Sequence, residues 1–252
     1  VTHRFSRDNI LSLKFYHGRD HLKLKLDTEQ SGTASGDPEM NTLYGTDRLH
    51  ADIAWGNTLA SLNWRYRILD NLKMRTILYY TGSAADVEYY MNDWEVDETE
   101  HNTSVEETNR SRISDVAVCS DCFWQPHDSH DIRFGASYQF HLYSPSRQSL
   151  MTVDAVSDRN NSARRYLGNE FSLYAEDEMT FLDRISLNIG LRYALSGASG
   201  KLWNSLEPRA ALRVECCDGV DFKVSYTEMS QFAHLISTTY LDIPTNCWLP
   251  ST

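Results

Sequence analysis

From residue 185 to 195 the chain alternates without a break. Ile185, Leu187, Ile189, Leu191, Tyr193 and Leu195 are separated by Ser186, Asn188, Gly190, Arg192 and Ala194. Successive side chains of a β-strand point to opposite faces, so the pattern predicts a strand with one apolar and one polar face. It recurs where Ile132, Phe134, Ala136, Tyr138, Phe140 and Leu142 alternate with Arg133, Gly135, Ser137, Gln139 and His141. Val220, Phe222, Val224 and Tyr226 alternate in the same way with Asp221, Lys223, Ser225 and Thr227. None of these apolar positions carries a charge, although 23% of the chain is charged.

Followed along the chain, the pattern predicts about ten antiparallel strands: 1–5, 10–26 with a bulge at Gly18, 57–68, 72–80 running on toward Met91, 113–124, 132–143, 169–181, 185–195, 206–215 and 220–229. Short turns close them in pairs at 6–9, 69–71, 125–131, 182–184 and 216–219, the last holding the hairpin dipeptide Asp218-Gly219. Longer polar stretches, expected as loops, lie at 29–48, 93–110, 144–167 and 196–205, and 246–252 reads as a further, unfinished loop. Short turns alternating with long loops are the rhythm of a transmembrane β-barrel, turns on the periplasmic side and loops outside. Tyr79, Tyr80, Tyr89, Tyr90, Trp94, Trp124, Tyr143, Phe181 and Trp203 fall near strand ends, as in aromatic girdles, although aromatic residues are enriched in strands generally.

Composition narrows the function without contradicting this. The chain has 252 residues, 41% hydrophobic, with a mean hydropathy of −0.50, and no apolar run reaches the roughly 20 residues of a spanning helix. Barrel strands escape that measure because every second residue faces water. A net charge of −11 argues against nucleic acid, whose phosphates call for clustered Lys and Arg. The chain opens on Val1 within a strand and closes within a loop, so residues 1–252 are expected to be an internal piece of a longer barrel domain.

Several segments resemble TonB-dependent outer-membrane receptors, in the branch with an N-terminal carboxypeptidase-regulatory-like domain. They are Asn57-Thr58-Leu59-Ala60-Ser61-Leu62-Asn63-Trp64-Arg65-Tyr66, Thr2-His3-Arg4-Phe5, Phe15-Tyr16-His17-Gly18-Arg19-Asp20, Ser172-Leu173-Tyr174-Ala175-Glu176-Asp177 and Leu206-Glu207-Pro208-Arg209. The resemblance is closest in 225–231, His234-Leu235, Ile243-Pro244-Thr245 and Trp248-Leu249-Pro250-Ser251-Thr252. It implies an all-β barrel of about 22 strands, with the plug and further strands outside this chain. It also implies import across the outer membrane of a siderophore, cobalamin, glycan or peptide, driven through the TonB complex, with a surface lipoprotein as a candidate partner. No cofactor and no bond chemistry are implied. Because aromatic and imidazole groups at loop bases stack on ligands and hydrogen-bond to them, the candidate ligand contacts are Tyr89, Trp94, Tyr143, Trp203, His234 and Trp248.

Other constellations yield blander readings. Cys119 and Cys122 are three apart on a strand, hence on opposite faces and unsuited to one metal ion. Cys216, Cys217 and Cys247 bring the cysteines to five, an odd number with no spacing framework, so pairing is left open. The acidic run 93–107 suits a solvated loop, with Ca²⁺ binding as the sharper alternative. Inward charges of both signs, among them Arg65, Arg75, Arg133, Arg192, Arg209, Asp115, Asp121, Glu170, Glu176 and Glu207, suit either a hydrated lumen or the salt-bridged interior of a small barrel. His141, Ser137 and Asp115 share that face without a nucleophile motif, which makes a barrel lipase a weak competitor. A soluble β-sandwich, a structural or adhesive small barrel and a passive channel complete the alternatives.

Overall fold

The computed structural model describes residues 1–33, 42–95, 101–153, 156–182, 184–217, 219–240 and 243–251, with side chains at all of these except 29–33, 42–47, 93–95, 101–102, 236–240 and 243–247. The strands are β1 (Thr2–Ser6), β2 (Asn9–Thr33), β3 (Thr42–Leu69), β4 (Leu72–Glu95), β5 (His101–His127), β6 (His130–Tyr143), β7 (Ser146–Val153), β8 (Val156–Ala163), β9 (Tyr166–Phe181), β10 (Ile185–Ala198), β11 (Lys201–Cys217), β12 (Val220–Thr227), β13 (Ala233–Tyr240) and β14 (Ile243–Pro250). Twelve of them form one antiparallel sheet in the order β1-β2-β3-β4-β5-β6-β9-β10-β11-β12, with β7 and β8 off this path.

β7 and β8 are extensions rather than extra members. β5 pairs with β6 from Ile113↔Tyr143 downward and with β7 from Arg110↔Ser146 upward, so β6 and β7 form one long strand interrupted at Ser144-Pro145. β8 and β9 form its returning partner, interrupted at Arg164-Arg165. Pairing survives the break, because Ser144 N donates to Arg112 O (2.8 Å) and Arg164 N to Pro145 O (3.2 Å). The path is therefore one of ten strands joined by next-neighbour hairpins, with β1 and β12 short, and among the described residues their outer edges and the stretches of β2 and β11 that extend past them are unpaired in this sheet.

The stretches expected as long loops are for the most part strand. Residues 42–48 pair with 27–33, and 101–110 with 86–95. Segment 144–167 is the β7–β8 hairpin, and 196–205 zips down to a two-residue turn at Ser199-Gly200, whose φ values of 52° and 79° match a type I′ hairpin. The segment read as an unfinished loop contributes to β14 as far as Pro250. Polar composition misleads here because a sheet wet on both faces needs no apolar face; its backbone pairing is the same. Gly18 is not a bulge either. The β2–β3 register runs through it without a shift, and the register shifts of the sheet sit at 4/6, 67/69, 124/127 and 215/217, beside the short turns.

Register aligns the apolar positions into rows. Leu13, Leu62, Leu78, Val118, Tyr138 and Phe171 lie opposite one another across β2, β3, β4, β5, β6 and β9, and each is 37–53% exposed. The other face holds the enclosed side chains, Ser172, Ser196, His141 and the wholly buried Glu207 among them. This inverts the soluble pattern of apolar inside and polar outside.

A second pattern appears further from the short turns, where the two faces exchange character. On β2 the face bearing Leu11, Leu13 and Phe15 goes on to bear Arg19, His21, Lys23 and Lys25, while the face of Ser12 and Lys14 goes on to bear Leu22, Leu24 and Leu26. On β5, Val118 and Val116 give way to Arg112 and Arg110, and Asp121 and Asp115 to Ile113 and Val105. The changeover is level, along the register row Gly18, Asn57, Ser83, Ile113 and Tyr143. Between the short turns and this row β2 and β4 run 9–17 and 72–82, about ten residues each, and a tilted strand needs roughly 9–11 to cross hydrocarbon. Above the row the inner face has a small apolar cluster of Ala51, Val87 and Tyr89, with Ile53 and Val105 against it.

Leu191 is on the exposed apolar face and Asn188 on the enclosed polar one. Leu191→Arg is expected to cost roughly 2 to 4 kcal/mol in vesicle-refolding titrations of the full-length protein, and Asn188→Arg less than about 1. Equal losses would contradict the assignment of faces.

Candidate functional site

Below the changeover the enclosed face is laced with ion pairs between neighbouring strands. Glu176 lies 3.6 Å from both Arg133 and Arg209, Asp221 takes the Arg213 guanidinium at 2.7 Å, and Tyr174 donates to Asp121 at 2.8 Å. Glu207 accepts from Arg192 at 2.9 Å and from the backbone N–H of Ser230 at 3.2 Å. With Ser205 Oγ to Ser230 Oγ (2.7 Å) and Glu228 N to Pro208 O (3.1 Å), this holds the chain after β12 across β11. From there the β13–β14 hairpin returns over the enclosed face, where β14 packs on β5, β6 and β9.

Between the hairpin and the sheet lies a cavity of about 650 Å³, lined by Tyr16, Asp115, His141, Glu170, Phe232 and Trp248 with their neighbours. Alternation puts Asp115, His141 and Glu170 on one face, and the β5–β6–β9 register brings them together. The His141 imidazole makes a 2.8 Å hydrogen bond through Nδ1 to Asp115, which also accepts from Thr81 at 3.1 Å. Nε2 of His141 lies 3.5 Å from a Glu170 oxygen and has no hydrogen-bond partner, although the residue is only 5% exposed. Tyr143 stacks on the imidazole at 5.6 Å, and a Cβ at Gly168 would meet the Tyr143 ring at 3.2 Å, so glycine lets the ring lie against the sheet. Two carboxylates and an imidazole, with the Trp248 ring among the lining side chains, can take a polar group and stack on its apolar part.

The six candidate contacts do not converge. Trp248 lines this cavity, while Tyr143 is buried behind His141 and does not reach it. Tyr89 lies above the changeover, donating to Glu107 at 2.7 Å, and Arg147 grips both oxygens of Glu107 at 2.8 Å. Glu107, read as part of a solvated acidic loop, is thus a buried strand residue with its oxygens engaged, and no cluster suited to a metal ion occurs among the described residues. Trp203 faces Ser196 on the enclosed side of β11, and His234 Nε2 bonds Ser251 Oγ at 2.9 Å. Trp94 is in β4, but its side chain, like that of Cys247, lies outside the described ones. Cys119 and Cys122 do lie on opposite faces, across from Ile77 and Met74, and the described cysteines Cys119, Cys122, Cys216 and Cys217 form no disulfide.

Comparison with known proteins fixes the family. Residues 2–245 match the family described as TonB dependent receptor-like, beta-barrel, and the chain belongs to it. No curated protein sequence matches. Among solved structures, the RagAB peptide transporter matches 95% of this chain and 39% of its own at 8% identity, with a TM-score of 0.50. The siderophore receptor PiuA from Acinetobacter baumannii matches 93% and 46% at 10% identity, TM-score 0.49. BauA, the ferric preacinetobactin receptor of the same organism, matches 94% and 44% at 11% identity, TM-score 0.44. At such identities the likeness is one of fold, and the chain spans less than half the length of each of these solved chains.

Glu207 gives a test of the ion-pair face. Arg192→Leu leaves its buried carboxylate without the guanidinium and is expected to cost about 3 kcal/mol. Adding Glu207→Gln should restore most of that in denaturant unfolding of the full-length protein; additive losses would mean that the pair is not coupled.

Proposed function

We propose that the chain is a section of the barrel wall of an outer-membrane receptor that binds a scarce or bulky solute at its extracellular mouth and imports it with energy delivered through TonB. The observation that carries the membrane part is the inverted sheet, exposed and apolar over a band about ten residues tall. No helix of the described residues is long and apolar enough to cross a membrane, so strands are the crossing elements in this reading. Family membership supports the receptor part, and the solved relatives include receptors or importers of siderophores and of peptides. The unpaired edges of β1 and β12 and the greater length of those relatives support a larger barrel that includes this section.

On this reading the short turns face the periplasm and the projecting hairpins face outward. Ligand contact falls to the cavity of His141, Asp115, Glu170 and Trp248, with Tyr143 stacked behind His141, just below the changeover row and so at the outer end of the lumen. Tyr89, Trp94, Trp203 and His234 are proposed as outer contacts, on strands β4, β11 and β13 that lead toward the same mouth. The ligand class stays as broad as siderophore, cobalamin, glycan or peptide.

Sidedness is tested by epitopes in the full-length protein. Insertions at Thr103 and Arg159 should be labelled on intact cells, and one at Asp70 only after the outer membrane is opened. Labelling at Asp70 in intact cells would overturn the orientation. Uptake should vanish in cells lacking TonB while surface binding persists; uptake that continues would make the protein a passive channel. His141→Ala combined with Glu170→Gln should weaken ligand binding by about tenfold or more, and unchanged binding would remove this cavity from the ligand path.

A further inference from the structure

The face that carries the apolar rows also has a pocket, of about 270 Å³, at the level where apolar residues give way to charged ones. Its floor is nearly free of side chains, being built from Ala54, Gly56, Gly82 and Ala84 on β3 and β4. Tyr80 lies at its lower border with the hydroxyl folded over Gly82, where an added Cβ would meet that oxygen at 2.9 Å. Arg19 on β2 and Arg112 on β5 flank it and converge on Asp86 of β4, at 3.8 and 3.4 Å. Arg110 approaches Asp86 at 3.9 Å and Glu88 at 3.0 Å. Three guanidiniums thus share two carboxylates, and the pocket keeps a surplus positive charge. The Arg19 and Arg112 side chains are more than half exposed, with donors left for another anion.

Directly below are the exposed Tyr80, Leu78 and Val116 of the apolar face. An occupant that satisfies both halves is anionic where it meets the arginines and aliphatic below. We infer that this pocket binds the phosphate-bearing headgroup of a lipid in the outer leaflet, its phosphate between Arg19 and Arg112 and its acyl chains along the apolar rows. Guanidinium forks match phosphate oxygens in geometry as well as charge. Asp86 holds the two forks toward each other, and the lack of side chains in the floor leaves room for a headgroup against the backbone. The inference rests on the membrane reading above, since it needs this face in lipid.

The test uses the full-length receptor in neutral detergent, with native mass spectrometry as the readout and a diphosphorylated, multiply acylated glycolipid as the probe. The wild type should retain the phosphorylated lipid and bind its dephosphorylated counterpart at least about tenfold less. Arg19→Ala with Arg112→Ala should lower retention by about tenfold, while Arg184→Ala, at the opposite end of the sheet, should not. If the alanine pair does not fold, Arg19→Lys with Arg112→Lys keeps both charges and should still lower retention severalfold through loss of the forks. Retention equal in wild type and both double variants, or equal for the two lipids, would overturn the site. Displacement of the lipid by millimolar inorganic phosphate would overturn the lipid as its occupant. Heat-modifiable migration of every variant, measured in parallel, separates these outcomes from failure of the membrane reading, which would show as a wild type unable to insert into vesicles.

Discussion

Inside hydrocarbon a peptide group without a hydrogen-bond partner costs several kcal/mol, and along the path from β3 to β10 the sheet gives its strands a ladder on either side. β2 and β11 meet their outer neighbours β1 and β12 only near the short turns, and the β6–β7 interruption at Pro145 is bridged by bonds to Arg112 and Arg164. With the backbone committed to that ladder, side chains have only two directions available. Every register shift is confined to the short-turn end, since one further up would throw the apolar rows onto the wrong face. The alternation along the sequence is the imprint of this ladder.

Pairing the backbone leaves the enclosed side chains to be satisfied by each other. Arg133, Glu176 and Arg209, Arg192 and Glu207, and Arg213 and Asp221 do so from strand to strand, so the polar face is a network whose members depend on their register partners. A salt bridge at an exposed surface contributes little, but Glu207 is fully buried and also fixes the segment leading into the β13–β14 hairpin. One carboxylate thereby couples wall stability to the roof over the His141 cavity. Nε2 of His141 stands apart, a buried polar atom without a close hydrogen bond that has only the Glu170 carboxylate at 3.5 Å beside it.

Much of the wall was legible in the sequence because period two is a local signal: the inward arginines and the opposed Cys119 and Cys122 follow from counting alone. The projecting hairpins were not, because Thr, Ser and Asn-rich stretches such as 101–110 read as loop although their backbones pair as fully as Leu-rich ones do. The exchange of faces was hidden for a related reason. The apolar phase slips by one position across Gly18, which in the sequence reads as a bulge, whereas the backbone register runs straight through and the two faces exchange character instead. Asp115, His141 and Glu170 could be placed on a common face from sequence, but their meeting depends on the β5–β6–β9 register, to which no local pattern points. Tyr143 and Trp248 were singled out by residue type near loop bases, and the place of Trp248 over His141 depends on a hairpin whose return path no spacing encodes.

The level changeover at Gly18, Asn57, Ser83 and Ile113 also acts as a waterline. On the membrane reading, sinking the wall by two residues would draw the guanidiniums of Arg19 and Arg112 toward hydrocarbon, and raising it would lift Leu78 and Val116 into water. Charge at the bilayer rim costs up to about 1 kcal/mol and more with depth, and each exposed CH₂ costs about 0.8 kcal/mol. Summed over neighbouring strands, these opposing penalties form a narrow well for vertical position. On that reading the hairpins above would stand at a fixed height over the lipid, so that the reach of the wall beyond it is set by strand length alone.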